Sequence, residues 1–495
     1  MLSLSMIVKN EEKYLRDCLE SVKGVVDEII IVDTGSVDNT KKIAEEYGAI
    51  IFDYPWKNDF ADARNFALSK STGDWILYLD ADERLNKKSV QELKKRTQIQ
   101  TQKGYHCRIV NIDEVSKRPS IMSYVRLFAN SSEISFEGKV HEQIGNSLLN
   151  NGYQINISGI EIIHIGYNLT EEELKIKAGR NLDILLEEYK SKQNGYNAFQ
   201  LGQTLHILGR ENEALEYFNI SLDDSSLRGE YKATACRSIA VYYAENLDLE
   251  NAEKFINYSL QHDSQQPLSL LAASKIYLRL SRNKQSFDYV KKALECNKLY
   301  LSGKKISSQN ILVDQKVIIY NGLNVALINN DNSSMNYFMN EWKKEKGESG
   351  FKLFDLLLKK KSINVNSFDL QSLINENNLE LFFTAINRYP DKKVILNVVL
   401  NIATRFSSNS FFFNKYGLLL LECTLYEEAE KVLEKSLQIN PHEYSSIFYL
   451  ISVFIYLKKF EKIIPTIDAH RHVIAANPEL QSKISALEQK LKHIV

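Results

Sequence analysis

The run Tyr78-Leu79-Asp80-Ala81-Asp82-Glu83 ends an apolar stretch in two carboxylates separated by one small residue. In an extended chain residues i and i+2 face the same side, so Asp80 and Asp82 can converge on one cation, or divide between a cation and a sugar hydroxyl. Hard oxygen ligands suit Mg2+ or Mn2+, ions that also bridge phosphate oxygens. An ordinary solvated acidic turn has the same residues, so the pattern gains meaning only from its neighbours. One neighbour is Ile29–Val32, which runs into Asp33-Thr34-Gly35-Ser36-Val37-Asp38-Asn39-Thr40. A carboxylate at a strand end, here Asp33, can accept hydrogen bonds from a ribose or a base. Asp38 or Asn39 is expected to cap the following helix. A second neighbour is Trp56-Lys57-Asn58-Asp59-Phe60-Ala61-Asp62-Ala63-Arg64-Asn65, which sets Arg64 and Asn65 at a helix start among small residues. Arg64 can pair with a diphosphate or with uracil carbonyls, or form a structural salt bridge with Asp59 or Asp62.

The elements that must position these groups follow from periodicity. Leu2–Val8, Glu28–Val32, Ala49–Phe52 and Asp74–Leu79 read as strands. Between them, Tyr14 to Val22, Thr40–Tyr47 and Asp62–Ser69 carry helical spacing. Such alternation predicts a parallel sheet with helices on both faces, in which ligands bind beyond the carboxyl ends of the strands. The acidic and basic clusters follow those ends.

Taken together, residues 3–85 resemble family 2 glycosyltransferases of the GT-A fold. The pieces that carry the resemblance are SMIVKNEE, VDEIIIVDTGSVDNT, WKNDFADARN and GDWILYLDADE. It implies an α/β, Rossmann-like, mostly parallel sheet and a nucleotide-sugar site formed by Val8, Asn10, Glu11, Asp33, Arg64, Asn65, Asp80, Ala81 and Asp82. Within that set, Asp33 and Arg64 would hold the nucleotide, often a uracil. Asp82 with Asp80 would handle the metal and diphosphate, and the anomeric centre would invert. Arg126-Leu127-Phe128, Phe136–Glu142 and Ile162-Ile163-His164-Ile165-Gly166-Tyr167 extend the match. In the GT-A pattern an acidic residue acts as general base and a late histidine completes the metal site. Glu142 fits the first place, with His141 the next candidate, and His164 fits the second beside Asp82. Asp80 would then lie near the ribose or reach the metal through water. The bland alternatives are a salt bridge from Glu142 to Lys139 or Arg126, and a core histidine at 164.

From about Thr170, a helix-start residue followed by Glu173, strand signals nearly vanish. Leu201-Gly202, Leu205, Gly209, Ala214 and Phe218 match Tyr416-Gly417, Leu420, Ala429, Leu433 and Pro441 in their offsets from glycine to alanine and from alanine to the next apolar residue. The two copies resemble tetratricopeptide repeats of about 34 residues. Weaker copies are expected near Ala233, Pro267 and Tyr444, while no repeat phase is legible from Leu301 to Phe406. The expected domains are 1–168 (GT-A), 169–300 (helical linker and repeats) and 301–495 (further repeats for dimerisation or acceptor docking). The order of a family 2 domain followed by tetratricopeptide-like helices resembles a bacterial subgroup that includes peptide S-glycosyltransferases of the sublancin type.

Bulk composition fits this reading. Across 495 residues, 44% are hydrophobic and 25% charged, with a formal net charge of -1, so no global basic field points to nucleic acid or an anionic membrane. Five scattered cysteines without a CxxC pair argue against a disulfide framework or structural zinc. No signal peptide or apolar stretch of about 20 residues is seen, so a cytoplasmic protein is expected. The expected activity is transfer of a hexose, glucose or N-acetylglucosamine, from a UDP-sugar to a peptide or protein acceptor, on sulfur or oxygen. The competing expectation is a transferase for surface polysaccharide or a lipid-linked saccharide, with the repeats used for assembly. A scaffold built on a decayed transferase is the reading from another class. Repeat ends expose apolar surface, and Tyr416, Leu420, Leu433, Leu450 and Phe454 are expected to mark a homodimer through the C-terminal helices.

Overall fold

The computed structural model describes residues 1–98, 101–111, 120–165, 171–302, 313–345, 350–359, 369–387, 391–475 and 478–491. Gly166, Tyr167 and Thr170, singled out above, lie outside them. The described chain divides into two compact units, Met1–Gln315 and Lys316–Val495.

The first unit opens with β1 (Leu2–Val8), α1 (Leu15–Val22), β2 (Glu28–Asp33), α2 (Thr40–Glu46), β3 (Ile50–Asp53), α3 (Phe60–Lys70) and β4 (Trp75–Tyr78). It continues with β5 (Glu83–Leu85), α4 (Val90–Arg96), β6 (Lys103–Asn111), β7 (Ser120–Ala129), α5 (Gly145–Asn150) and β8 (Gln154–His164). All eight strands join one sheet in the order β3-β2-β1-β4-β7-β6-β8-β5. The pairs β3–β2, β2–β1 and β1–β4 are parallel, as the strand–helix alternation implied, and β6–β8 is parallel as well. The pairs of β7 with β4 and β6, and of β5 with β8, are antiparallel, which makes the sheet mixed. β1 lies in the sheet interior and reads LSLSMIV, with nearly every residue buried. The register sets Val8 beside Asp33, so the ends of β1 and β2 finish together. Leu4, Met6, Trp75, Leu77, Phe128 and Ile162 belong to one apolar core beneath these ends.

The helical arm of this unit starts with α6 (Glu171–Ser191), then α7 (Gly195–Ile207), α8 (Glu211–Asp223), α9 (Gly229–Glu245), α10 (Leu249–His262), α11 (Pro267–Arg279) and α12 (Asn283–Leu301). Its first apolar cluster takes in Leu185, Phe199, Phe218 and Ile239, and also Val140 and Phe60 from the sheet domain. No boundary in packing therefore separates the sheet domain from the start of the arm.

The second unit consists of α13 (Gln315–Ile328), α14 (Asn332–Lys344), α15 (Phe351–Leu358), α16 (Leu370–Leu373), α17 (Leu379–Ile386), α18 (Lys392–Ile402), α19 (Ser410–Glu422), α20 (Tyr426–Ile439), α21 (Tyr444–Tyr456), α22 (Ile463–Ala469), α23 (Arg471–Ala475) and α24 (Pro478–Leu491). A geometric signature marks the repeats. A Cβ on Gly202 would meet Phe218 at 2.7 Å, on Gly417 would meet Leu433 at 2.5 Å, and on Gly322 would meet Phe338 at 2.3 Å. In each case a bare helix backbone receives the side chain 16 positions on. The third case, α13 with α14, lies where no repeat phase was legible. Ser334 stands there in the alanine place, which hid it. The turns within helix pairs carry positive φ at Gly209, Leu247, Ser281, Asn330, Thr424 and Lys458. Leu247 to Ser281 and Thr424 to Lys458 are both 34 positions, the repeat length expected from the sequence.

The residues expected to carry a dimer do not face outward. Tyr416, Leu420, Leu433, Leu450 and Phe454 are all buried, because helical pairing turns that stripe inward. Among the described residues, the large apolar side chains exposed on the last repeats are Tyr444, Ile455, Tyr456, Phe460 and Ile464. Among the described residues no helix is long and apolar enough to cross a membrane. None of the five cysteines is paired in a disulfide.

Candidate active site

The loops after β1 and β2 are zipped together. Ser36 Oγ accepts from the Asn10 amide at 2.9 Å, and Asn10 Oδ1 accepts from the Val37 amide at 2.9 Å. Thr40 Oγ1 accepts from the Glu11 amide, and Asp38 accepts from the amides of Glu12 and Thr40. Asp38 thus ties the first turn of α2, as a capping residue would. Asn10 takes a positive φ of 56° to make this junction. Beside it, Asp33 is 1% exposed. Its Oδ1 accepts from the Gly35 and Ser36 amides, while its buried Oδ2 has no partner among the described residues.

A cavity of about 880 Å³ opens over these strand ends. Val8, Asn10, Glu11, Arg64, Asp80, Ala81, Asp82, His141, Glu142 and His164 all line it. Two expected residues do not. Asn65 has both ends of its amide engaged by the Phe136 backbone, at 3.0 and 2.7 Å, so it holds the 136–142 segment in place instead of facing a ligand. Asp33 sits behind Thr34, which lines the cavity in its stead. The strand-end place that suggested a ligand contact leaves Asp33 buried, and it is the next residue, Thr34, that lines the cavity.

The charges form a network. Arg64 donates to Asp80 Oδ1 at 2.6 Å and to Glu142 Oε1 at 2.5 Å, and so pairs with neither Asp59 nor Asp62. Asp59 instead caps α3 by accepting from the Asp62 amide. Arg126 donates to Glu83 Oε1 at 2.6 Å and to Asp80 Oδ2 at 3.1 Å. Both guanidinium groups lie over the Tyr78 ring, at 5.0 and 4.3 Å. Burial alone would raise the Asp80 carboxyl, but the two arginines override it and hold it below its ordinary range. Glu83, 1% exposed, is pushed up to about 7 by burial despite Arg126. Burial and then the negative charges of Asp82, Asp80 and Asp38 push Glu11 up to about 7.

Asp82 and His164 meet at the end of the antiparallel β5–β8 pair. His164 Nε2 lies 3.1 Å from Asp82 Oδ2, and its Nδ1 lies 2.7 Å from Asn111 Oδ1. If Asn111 accepts from Nδ1–H, Nε2 presents a lone pair to the carboxylate. Two acceptors at that distance attract only through a shared proton or a shared cation. The donor set, one carboxylate oxygen and one imidazole nitrogen, fits a divalent metal that takes its remaining ligands from a diphosphate and water.

The loop bearing His141 and Glu142 is closed by mutual backbone hydrogen bonds between Glu137 and Gln143. His141 has a φ of 56°. The arm holds this loop: Glu188 accepts from the Lys139 amide at 3.0 Å, and Tyr196 Oη donates to the His141 carbonyl at 3.3 Å. The His141 side chain is exposed at the cavity, and desolvation by the protein mass around it lowers its pKa. Sequence reasoning missed Glu83 and Arg126 as parts of the charge network, and Ile176, Lys177 and Arg180 of α6 as the far wall. Glu83 directly follows the DxD and was legible. Nothing in the spacing of α6 ties it to strand ends about a hundred residues earlier.

Residues 3–159 match the model described as glycosyl transferase family 2. The chain carries a family 2 glycosyltransferase domain. Over 227 residues it is 30% identical to the SPbeta prophage-derived glycosyltransferase SunS of Bacillus subtilis, covering 45% of this chain and 53% of that protein. Over 148 residues it is 41% identical to a TPR repeat-containing protein of Synechococcus elongatus, covering 30% of this chain and 36% of that one. The chain thus spans about half, or less, of the length of these relatives. Among solved structures, Staphylococcus aureus TarS is similar at 15% identity over 54% of this chain and 55% of that chain, with a TM-score of 0.27. At that score the likeness carries no argument about ligands. The family 2 match spans β1 to most of β8, and so takes in the DxD and the Glu142 loop but stops before His164 and the α6 wall.

Proposed function

We propose that the protein is an inverting, metal-dependent glycosyltransferase that moves a hexose from a UDP-sugar to a peptide or protein acceptor. The observation that carries the reading is one cavity holding both the Asp82–His164 pair and the Glu142 carboxylate. Inversion needs a base on the face opposite the leaving diphosphate, and these two groups stand on different elements of one pocket. Mg2+ or Mn2+ held by Asp82 and His164 would offset negative charge on the departing diphosphate. Lys177 and Arg180 of α6 add fixed positive charge to the opposite wall. Asp33, with its unpartnered Oδ2, accepts from the nucleotide if Thr34 shifts aside. Glu142 has one oxygen fixed by Arg64 and the other without a partner among the described residues, which suits it to take the acceptor proton. A thiol acceptor would need less help, since a free cysteine is already a few per cent thiolate at neutral pH.

A donor panel tests the reading. UDP release should appear with one UDP-hexose in Mg2+ or Mn2+ and disappear in EDTA. Near-full turnover in EDTA would remove the metal from the mechanism, and no release with any UDP-sugar would remove the donor class.

A further inference from the structure

The donor cavity does not end at Glu142. A second cavity of about 580 Å³ shares Arg64, Asp80, Arg126, His141 and Glu142 with it and continues along α7 and α9 of the arm. Its floor there presents Gln200, Gln203, Arg237 and Tyr242. Gln200 and Gln203 follow Tyr196 on the inner face of α7, and the Gln200 amide donates to Tyr196 Oη at 2.7 Å.

The cations of this groove are not alike. Arg64 and Arg126 each bind two carboxylates. His206 lies 2.9 Å from Glu211. Arg237 has no carboxylate and no hydrogen-bond partner among the described residues. It is half-buried along the groove, and desolvation lowers its pKa to about 10. A half-buried guanidinium without a protein partner keeps its planar five-donor fork available, and that fork is well made for a carboxylate.

We infer that this groove seats the acceptor as an extended peptide with an acidic side chain close to the glycosylated residue, and that Arg237 pairs with that side chain. The inference rests on the transferase reading above and adds the acceptor class and its recognition element. The side-chain amides of Gln200 and Gln203 can serve the backbone of an extended peptide, which offers both donors and acceptors. A phosphodiester polymer fits poorly. It would bring repeated negative charge past Glu142, Glu211 and Glu245 to reach a single unpaired cation.

The test uses the full chain with two pools of short fluorescent peptides. Each pool has Cys and Ser in a Gly-rich background. One carries Asp at varied positions and the other carries Asn at the same positions. Binding is read by anisotropy, and transfer by UDP release with the active donor. The Asp pool should bind about 10- to 100-fold more tightly than the Asn pool, the range of one charge-assisted bidentate contact. Arg237→Gln should collapse that ratio to about one, and Arg237→Lys should restore part of it. Equal binding of both pools by the parent protein would overturn the inference, without needing any variant to fold. So would a ratio that survives Arg237→Gln, or Arg237-dependent capture of poly(glycerol phosphate) in place of peptide. Asp-selective, Arg237-dependent binding with no UDP release from any donor would leave the groove standing and sink the transferase reading. Ready UDP release with no selectivity would do the reverse.

Discussion

Glu142→Gln separates the structural and chemical duties of one carboxylate. In the structure its Oε1 accepts from Arg64 Nε at 2.5 Å, and Asp80 Oδ1 holds the other side of the same guanidinium at 2.6 Å. Glutamine keeps an oxygen at that place, so Arg64 loses charge on one of two partners but not the bond. The bond keeps its charged donor, and hydrogen bonds to charged groups span roughly 1.5–3 kcal/mol, so the variant should lose at most about 1.5 kcal/mol of stability and remain folded. Removing the base should lower transfer by about 100-fold or more, which corresponds to about 2.7 kcal/mol of lost transition-state stabilisation. Titration calorimetry with the UDP-sugar should find donor affinity little changed, because the Asp82–His164 pair and Asp33 are untouched. Steady-state transfer to a hydroxyl acceptor should fall by that factor, and transfer to a thiol acceptor by less. Transfer to a hydroxyl acceptor at the parent rate would refute the reasoning. His141, whose lowered pKa keeps a neutral imidazole available, would then be the base to test.

The remaining expectations can be checked with routine measurements. Asp82→Ala and His164→Ala should each abolish metal-stimulated UDP release while shifting the unfolding midpoint little, since neither opens a core cavity; retention of Mn2+ stimulation in both would exclude the pair as ligands. Gly322→Ala should destabilise by about 1–3 kcal/mol in chemical denaturation, because its Cβ would sit 2.3 Å from the Phe338 ring. Gly179→Ala, in α6 with nothing within 4 Å, should be neutral or stabilising by up to about 1 kcal/mol; equal effects at the two sites would discredit the packing account. If the chain dimerises through its last helices, Tyr456→Glu with Ile464→Glu should halve the mass seen by light scattering, whereas a parent mass already near 57.0 kDa would count against a dimer.

Much of the sheet half was legible because β1 to β4 are short apolar runs separated by amphipathic helices, and Asp33, Asp80 and Asp82 stand at or just past strand ends. β6 and β7 escaped notice although Arg108 and Arg126 alternate with the buried Cys107, Ile109, Val125 and Leu127 as an amphipathic strand requires, and β5 is only three residues long. Asn65 shows the limit of local reasoning. Its type and place fit a ligand contact, and only the fold brings the Phe136 backbone against both ends of its amide. The Arg64 case is similar, since its true partners, Asp80 and Glu142, are 16 and 78 positions away, while the apparent ones, Asp59 and Asp62, stand at the cap and first turn of its own helix. In the arm, glycine gave the repeat away wherever alanine followed it. One serine, Ser334, was enough to conceal the pair α13 and α14.

The wall formed by α6 bears on how such a protein can be recombined. Ile176, Lys177 and Arg180 reach the donor cavity, and Val140 and Phe60 pack in the opposite direction, into the arm's apolar cluster. The two parts are not interchangeable cassettes. A chimera joined just before α6 would import a foreign helix into the donor pocket and leave Val140 without its socket. A junction beyond α9 would carry the pocket, the base loop and the Arg237 groove across together. An exchange meant to leave the cavity intact must therefore cut beyond α9, so that the sheet domain and the first helices of the arm travel as one block.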